Sequence, residues 1–62
     1  MENEMPCMTW IYDDNGEKWV ANIQRDKLIE TKDDGRKIYE HTTQKGKRKR
    51  YIYNKGEFTA IE

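Results

Sequence analysis

The fold of this chain is decided by residues 36–61, which have the sequence RKIYEHTTQKGKRKRYIYNKGEFTAI. A polar residue, Lys and Gly follow one another twice in this stretch, at Gln44-Lys45-Gly46 and at Asn54-Lys55-Gly56. Three-residue hairpin loops commonly join a type I turn to a glycine in the left-handed region, which glycine enters without a steric penalty. We therefore expect two β-hairpins that share their middle strand.

Three-residue loops at both places also determine which side chains face each other. The expected pairs are Ile38 with Ile52, Tyr39 with Tyr51, Glu40 with Arg50, Ile52 with Phe58, and Arg50 with Ala60. Directly opposed side chains are the unit of sheet stabilisation, and most of these pairs match apolar with apolar or acid with base. A two-residue loop at Lys45-Gly46 would put Glu40 against Tyr51, which is a poorer match.

The tip of the hairpin that turns at Gln44-Lys45-Gly46 carries cations on both faces. We call these residues the basic arm: Lys45, Lys47, Arg48, Lys49 and Arg50. Arg48 and Arg50 occupy one face and Lys47 and Lys49 the other, so neither face of the tip can be buried. The sequence therefore predicts an arm that projects beyond the core and is tethered by Ile38 and Ile52.

A further hairpin is predicted near the amino terminus, because Asn15-Gly16 is the preferred pair for a two-residue type I′ turn. On one face this turn pairs Tyr12 with Trp19, Trp10 with Ala21, and Met8 with Ile23. The opposite face pairs Asp13 with Lys18, Ile11 with Val20, and Thr9 with Asn22. Trp10, Tyr12 and Trp19 then form an aromatic wall, which we expect to be the core rather than an interface.

The remaining segments complete an all-β chain. Residues 24–32 are either a short strand or a single helical turn, and the strand is favoured because a helix there has no apolar stripe. Asp33-Asp34-Gly35 predicts another hairpin turn. The expected fold is a small antiparallel meander of five to six short strands, forming a curled sheet or an SH3-like small barrel. With 62 residues, we expect one domain over 8–62 and a flexible segment over 1–7.

The sequence gives little support for catalysis, a metal site or a cofactor. Cys7 and His41 are the sole soft metal ligands and lie far apart in sequence, and His41 is expected on a solvated face beside Lys49. Asp13-Asp14 and Asp33-Asp34 adjoin turn glycines, where Asp is favoured for bonding its own backbone. No phosphate-binding glycine loop or serine-centred nucleophile elbow occurs. We predict a protein that is not an enzyme.

A single cysteine and the lack of a membrane-length apolar run indicate a cytoplasmic protein. Its formal net charge of zero hides an asymmetry between an acidic start and a basic second half. Residues 1–17 contain acids but no Lys or Arg, whereas residues 35–55 contain Glu40 as their only acid. Such a division indicates an interaction surface, or neutralisation of one end of the chain by the other.

The preferred functional hypothesis is a small binding protein, an inhibitor or accessory factor, acting as a monomer or homodimer. Its basic arm would bind a protein partner with an acidic surface, while the acidic amino-terminal portion met a basic rim of the same partner. The alternative is a module for single-stranded nucleic acid, in which the cations bind phosphates and Tyr39, Tyr51 and Tyr53 stack on bases. Two simpler interpretations remain open: the tyrosines pack in the core, or the arm folds onto the protein's own acidic residues.

Overall fold

The computed structural model describes residues 7–61, and over this range the chain forms antiparallel strands and no helix. The six strands are β1 (Met8–Tyr12), β2 (Lys18–Asn22), β3 (Lys27–Thr31), β4 (Lys37–Thr42), β5 (Arg48–Asn54) and β6 (Glu57–Ile61). Each is short and is separated from the next by a tight turn. The prediction of an all-β antiparallel meander is confirmed.

The strands form two sheets that pack on each other. β1 and β2 make a two-stranded hairpin, and β3, β4, β5 and β6 make a four-stranded sheet in sequence order. The core lies between them and consists of Ile11, Trp19 and Ala21 from the hairpin and Tyr39 and Tyr51 from the larger sheet. A domain this small has few aliphatic residues to bury, so aromatic rings supply most of the core volume.

The predicted register of β4 with β5 is confirmed. Ile38 lies opposite Ile52, Tyr39 opposite Tyr51, and Glu40 opposite Arg50. The connecting loop has three residues, since Thr43 N donates to Lys47 O at 2.8 Å and Gly46 N donates to Thr43 O at 2.9 Å. Gly46 has φ 86°, which is the left-handed conformation that this loop requires at its last position.

The predicted register of β5 with β6 is wrong by one residue. Ile52 lies opposite Thr59 rather than Phe58, and Arg50 opposite Ile61 rather than Ala60. The reason is the turn: Lys55 and Gly56 have φ of 52° and 86°, so the loop is a two-residue turn with both residues left-handed. A shift of one residue moves every side chain to the other face. Phe58 therefore packs against the core.

The predicted register of β1 with β2 is also wrong by one residue. Trp10 lies opposite Val20, Ile11 opposite Trp19, and Tyr12 opposite Lys18. The structure has a three-residue loop here, because Asp13 N donates to Glu17 O at 3.0 Å and Gly16 N donates to Asp13 O at 2.9 Å.

The Asp13 side chain reinforces that loop, since its Oδ1 accepts from Asn15 N at 3.0 Å and from Glu17 N at 2.9 Å. The loop after β3 has the same backbone bonds, from Lys32 N to Arg36 O and from Gly35 N to Lys32 O.

The shifted register of β1 with β2 decides which side chains of β1 are buried. Ile11 points into the core, and Trp10 and Tyr12 point outward.

Residues 24–32 contain the strand that was favoured, β3, preceded by a turn in which Asn22 O accepts from Arg25 N and Asp26 N. β3 is exposed along its length and its pairing with β4 contains an irregularity between Leu28 and Glu30. Such a bulge on an edge strand disfavours the addition of another strand.

The expected flexible segment covered residues 1–7, of which residues 1–6 lie outside the described range. Cys7 is within it, and its carbonyl accepts from Ile23 N at 2.9 Å. The pairing of the β1–β2 hairpin therefore begins at Cys7.

Candidate binding surface

The three tyrosines predicted to bind a partner are part of the core side of the sheet. Tyr51 is 0% exposed and Tyr39 is 8% exposed, with their ring centroids 5.6 Å apart in a stacked arrangement. Tyr53 is half-buried and packs edge-on against Phe58 at 4.9 Å. Since a base or a partner side chain cannot reach a buried ring, Tyr39 and Tyr51 do not form a contact surface.

The β4–β5 hairpin buries its tyrosine face. Its other face, which carries Ile38 and Ile52, lies on the outer side of the sheet and is half-buried. Large rings remove more apolar surface from water than isoleucines do, and a tyrosine hydroxyl can be buried where it finds a hydrogen-bond partner. Tyr51 finds one: its hydroxyl donates to Asp26 Oδ2 at 2.8 Å. The prediction that the isoleucines tether the arm to the core is therefore wrong.

Asp26 is the centre of a buried polar network. Its side chain is 3% exposed, and its oxygens also accept from Asn22 N at 2.9 Å and contact His41 Nδ1 at 3.1 Å. Burial alone would raise the pKa of Asp26, but the hydrogen bonds from Asn22, Tyr51 and His41 outweigh it, and the pKa lies below its ordinary value. The same burial and the bond to Asp26 raise the pKa of Tyr51.

The placement of His41 on a solvated face is wrong, although the residue does lie opposite Lys49 as expected. His41 is buried, and its ring stacks on Trp19 with centroids 5.1 Å apart and planes 8° from parallel. An Asp–His pair can serve as a general base when it adjoins a nucleophile. Both oxygens of Asp26 already face donors of the protein itself, so we interpret the network as structural.

Part of the basic arm is held against the β1–β2 hairpin. Lys49 Nζ lies 2.8 Å from Asp13 Oδ2 and 2.7 Å from Glu17 Oε1. We call this arrangement the Lys49 clamp. The Lys49 ammonium lowers the pKa of Asp13 to about 2 and also lowers the pKa of Glu17, while the two carboxylates raise the pKa of Lys49. For Lys49, folding onto the protein's own acids is therefore the arrangement observed.

The other cations of the arm remain exposed on the surface. Lys47 Nζ lies 3.9 Å from Glu17 Oε2, and Arg50 Nε lies 3.5 Å from Glu40 Oε2. Both contacts are long, and the cation of each pair is largely solvated, with Lys47 60% and Arg50 52% exposed. Such pairs hold a side chain in place only weakly. Lys45, Lys47, Arg48 and Arg50 can therefore still meet a partner.

The expectation that Trp10 and Tyr12 belong to the core is wrong, whereas Trp19 does lie there. With Met8, these two rings form an exposed strip on the outer face of β1, which we call the aromatic strip. Trp10 is 60% exposed and Tyr12 is 65% exposed. Lys18 Nζ lies 4.7 Å from the Trp10 ring centroid and 5.7 Å from that of Tyr12, which is within cation–π range. The error came from the hairpin register. Asp13 supplies the side-chain bonds that go with the observed loop, but the residue types in the loop do not by themselves decide its length.

The strip borders a groove between β2 and the loop of the basic arm. Its lining includes Trp10, Lys18, Val20, Arg25, Lys45 and Lys47. Of the described side chains that line the groove, Glu17 carries the negative charge, and its oxygens already face Lys47 and Lys49. The groove is therefore electropositive and has an aromatic side chain at its border.

A second depression lies on the other side of the arm and differs in charge. Its lining combines the acids Asp13, Asp14 and Glu40 with the cations Arg48, Lys49 and Arg50. Acidic and basic groups are balanced there, so the first groove has the more pronounced electrostatic character.

Part of the predicted acidic contact surface is used within the protein. Glu2 and Glu4 lie outside the described residues, while Asp13 and Glu17 hold Lys49. Across residues 7–61, no group of three or more His, Cys, Asp or Glu side chains is arranged to hold a metal ion. Over the same residues, no helix has the length and apolarity needed to cross a membrane.

No protein-family model matches this chain, and comparisons with curated proteins and with solved structures likewise give no match. The functional argument therefore depends on the surface itself.

Proposed function

We propose that this chain is a small non-catalytic binding protein, an inhibitor or accessory factor, that docks on a protein partner with an acidic surface. The observation that carries the proposal is the outward placement of Trp10 and Tyr12 beside the exposed cations of the basic arm. Tryptophan, tyrosine and arginine dominate the energetics of protein interfaces. A 62-residue domain has little apolar surface to spare, and leaving two large rings in water gives up about 25 cal/mol for each Å² not buried.

The charge distribution favours a protein over a nucleic acid as the partner. Acids and bases number 12 each, and Lys49 is held between two carboxylates. Binding to a phosphate backbone draws its affinity from many cations that replace condensed counterions, and dedicated binders are basic as whole domains. A protein interface needs only a few well-placed charges around aromatic anchors.

Single-stranded nucleic acid is the second candidate. Tyr39 and Tyr51 cannot stack on bases because they are buried, but Trp10 and Tyr12 are exposed aromatic rings beside cations, which is the combination that single strands require. This candidate predicts binding to an arbitrary oligonucleotide, with affinity that falls steeply as salt rises.

Affinity purification from the source organism, followed by measurement with the purified partner, tests the proposal. The baits are the wild type, Trp10→Ala, and the charge reversal Lys45→Glu with Lys47→Glu. The matched control is Lys27→Glu with Lys37→Glu, which makes the same change in net charge at exposed positions on β3 and β4. Circular dichroism first establishes that each variant is folded.

We expect one dominant protein with the wild type and the control. Trp10→Ala should weaken the measured affinity about thirtyfold, the effect of losing about 2 kcal/mol at an interface hot spot. The arm reversal should reduce the association rate and its salt dependence. Binding that is unaffected by both changes would show that this surface is not the interface. Tight binding of a labelled oligothymidylate at low salt, lost in the same variants, would establish the second candidate instead.

A further inference from the structure

We propose that the groove between β2 and the loop of residues 43–47 receives an extended acidic peptide segment of the partner. This inference rests on the proposed function and specifies what the partner presents: a strand-like chain with carboxylates and an apolar side chain, rather than a flat acidic surface. The argument depends on the charge of the groove, the orientation of its cations, and the edge of β2.

The charge of the groove favours an anionic occupant. Lys18, Arg25, Lys45 and Lys47 line it, and the Glu17 carboxylate is already bound by Lys49 at 2.7 Å. The contact of Glu17 with Lys47 is long, at 3.9 Å, so a ligand carboxylate can approach Lys47 without displacing a short ion pair. Lining donors therefore exceed acceptors, and a carboxylate supplies the missing acceptors.

Two of these cations already contact other groups of the protein before any ligand arrives. The Arg25 side chain is 58% exposed, and its guanidinium lies 3.5 Å from Asp26 Oδ1 and 3.2 Å from Val20 O. The Lys18 ammonium lies over the Trp10 ring at 4.7 Å. Cations that are already oriented lose less conformational entropy on binding, which favours affinity. Trp10, at the border of the groove, offers an apolar contact for a side chain next to the bound carboxylate.

The edge of β2 favours an extended chain. Backbone bonds join Asp13 to Glu17 and Cys7 to Ile23, so the odd-numbered residues of β2 direct their backbone groups toward β1. Lys18 and Val20 direct theirs away from β1, and Arg25 uses the Val20 carbonyl on that side. An added segment would pair with the backbone of Lys18 while its side chains alternated between the cations and Trp10.

The length of β2 sets the minimum length of the segment. β2 has five residues, and an extended chain of about eight residues, about 26 Å long, covers that edge with residues to spare at both ends. The probe is therefore a bead-displayed library of random peptides of about eight residues, selected on the folded full-length chain. A random library does not require the partner to be known.

The test compares selection on the wild type with selection on Arg25→Gln combined with Lys47→Gln. We expect enriched peptides with several Asp or Glu residues and at least one apolar residue. For the best peptide, fluorescence anisotropy should show at least tenfold weaker binding to this variant. The control, Lys27→Gln with Lys37→Gln, removes the same charge outside the groove and should change the affinity less than twofold. Binding should also perturb the Trp10 indole resonance in NMR spectra.

Several results would overturn the inference. Neutral or basic consensus sequences would contradict the charge argument, and equal loss of affinity in the control would show non-specific attraction. A labelled single-stranded oligonucleotide that binds the groove more tightly than the best peptide would assign the site to nucleic acid. If no peptide is enriched while the purified partner still binds the wild type, the groove assignment fails and the proposed function stands. If the partner and the peptides both fail to bind, the proposed function fails too.

Discussion

The substitution Tyr51→Phe isolates one interaction of the buried network. The Tyr51 ring packs against Tyr39, Trp19 and Phe58, with centroids 5.6, 5.8 and 5.9 Å away. Phenylalanine preserves these contacts and removes only the hydroxyl, which donates to Asp26 Oδ2 at 2.8 Å. Because Tyr51 is 0% exposed, water cannot easily replace the lost donor.

The size of the effect follows from the charge on the acceptor. A hydrogen bond to an ionised group contributes about 1.5–3 kcal/mol to stability, compared with about 1 kcal/mol between neutral groups. A domain of this length has a total stability of about 3–9 kcal/mol. A loss of about 2 kcal/mol lowers the melting temperature of a small domain by about 8–16 °C. We therefore expect Tyr51→Phe to be folded at 25 °C but clearly less stable.

The effect should also depend on pH. The Tyr51 hydroxyl is one of the donors that keep the pKa of Asp26 below its ordinary value of 3.8 in the folded state. The stability from a carboxyl group with a lowered pKa is present above the ordinary pKa and is lost as pH falls through the folded-state pKa. The stability difference between the wild type and the variant should therefore be largest near neutrality and should shrink in acid.

Urea denaturation, followed by tryptophan fluorescence at several pH values, measures the difference. Tyr12→Phe is the matched control, because it removes the same hydroxyl from a residue that is 65% exposed and should change stability by less than about 0.5 kcal/mol. If Tyr51→Phe proves as stable as Tyr12→Phe at neutral pH, the buried bond to Asp26 does not stabilise the fold and the reasoning is refuted.

Three further predictions concern the turns and the Lys49 clamp. Lys55→Gly should raise the melting temperature, because φ of 52° at Lys55 costs an L-residue about 1–2 kcal/mol; an unchanged or lower value would contradict the assigned turn. Gly46→Ala should destabilise the protein by about 1–2 kcal/mol in urea denaturation, because Gly46 has φ 86°, which an L-residue disfavours. No atom lies within 4 Å of the added Cβ, so the change tests the backbone conformation and not a steric clash. Lys49→Met should raise the pKa of Asp13 from about 2 toward 3.8, which carboxyl NMR titration measures. The decline of stability over that pH range should become less steep. An Asp13 titration identical to that of the wild type would exclude the clamp.

The strand content was predictable because turn residues recur between short β-forming runs. The register of β4 with β5 was also predictable, since one loop length pairs Glu40 with Arg50 and like apolar residues with each other. The two wrong registers both result from a wrongly predicted loop length. Loop length at Asn15-Gly16 depends on the bonds that the Asp13 carboxylate makes to the backbone, and at Lys55 it depends on a left-handed φ in a residue that disfavours it. These choices differ by about 1 kcal/mol, which residue type alone does not resolve.

The candidate surface was less predictable because it depends on contacts between distant parts of the chain. Both faces of β4 and β5 offer apolar pairs, Ile38 with Ile52 and Tyr39 with Tyr51. The tyrosine face is buried because the β1–β2 hairpin packs over it and the 22–26 turn places Asp26 within reach of Tyr51. The cation cluster was evident in the sequence, but the partners that Lys49 takes, Asp13 and Glu17, lie more than 30 residues earlier.

The Lys49 clamp connects the stability of the fold to the shape of the candidate binding surface. It ties the loop after β1 to the start of β5. The aromatic strip on the β1–β2 hairpin and the basic arm on the β4–β5 hairpin are therefore held at a fixed separation. The groove lies between these two elements, and its width is therefore set by a residue that has only 14% of its side chain exposed. A preorganised groove loses less entropy on binding than two independently mobile hairpins would. It follows that a change at Lys49 should weaken partner binding without removing a direct contact, whereas a change at Lys45 should weaken it by removing one.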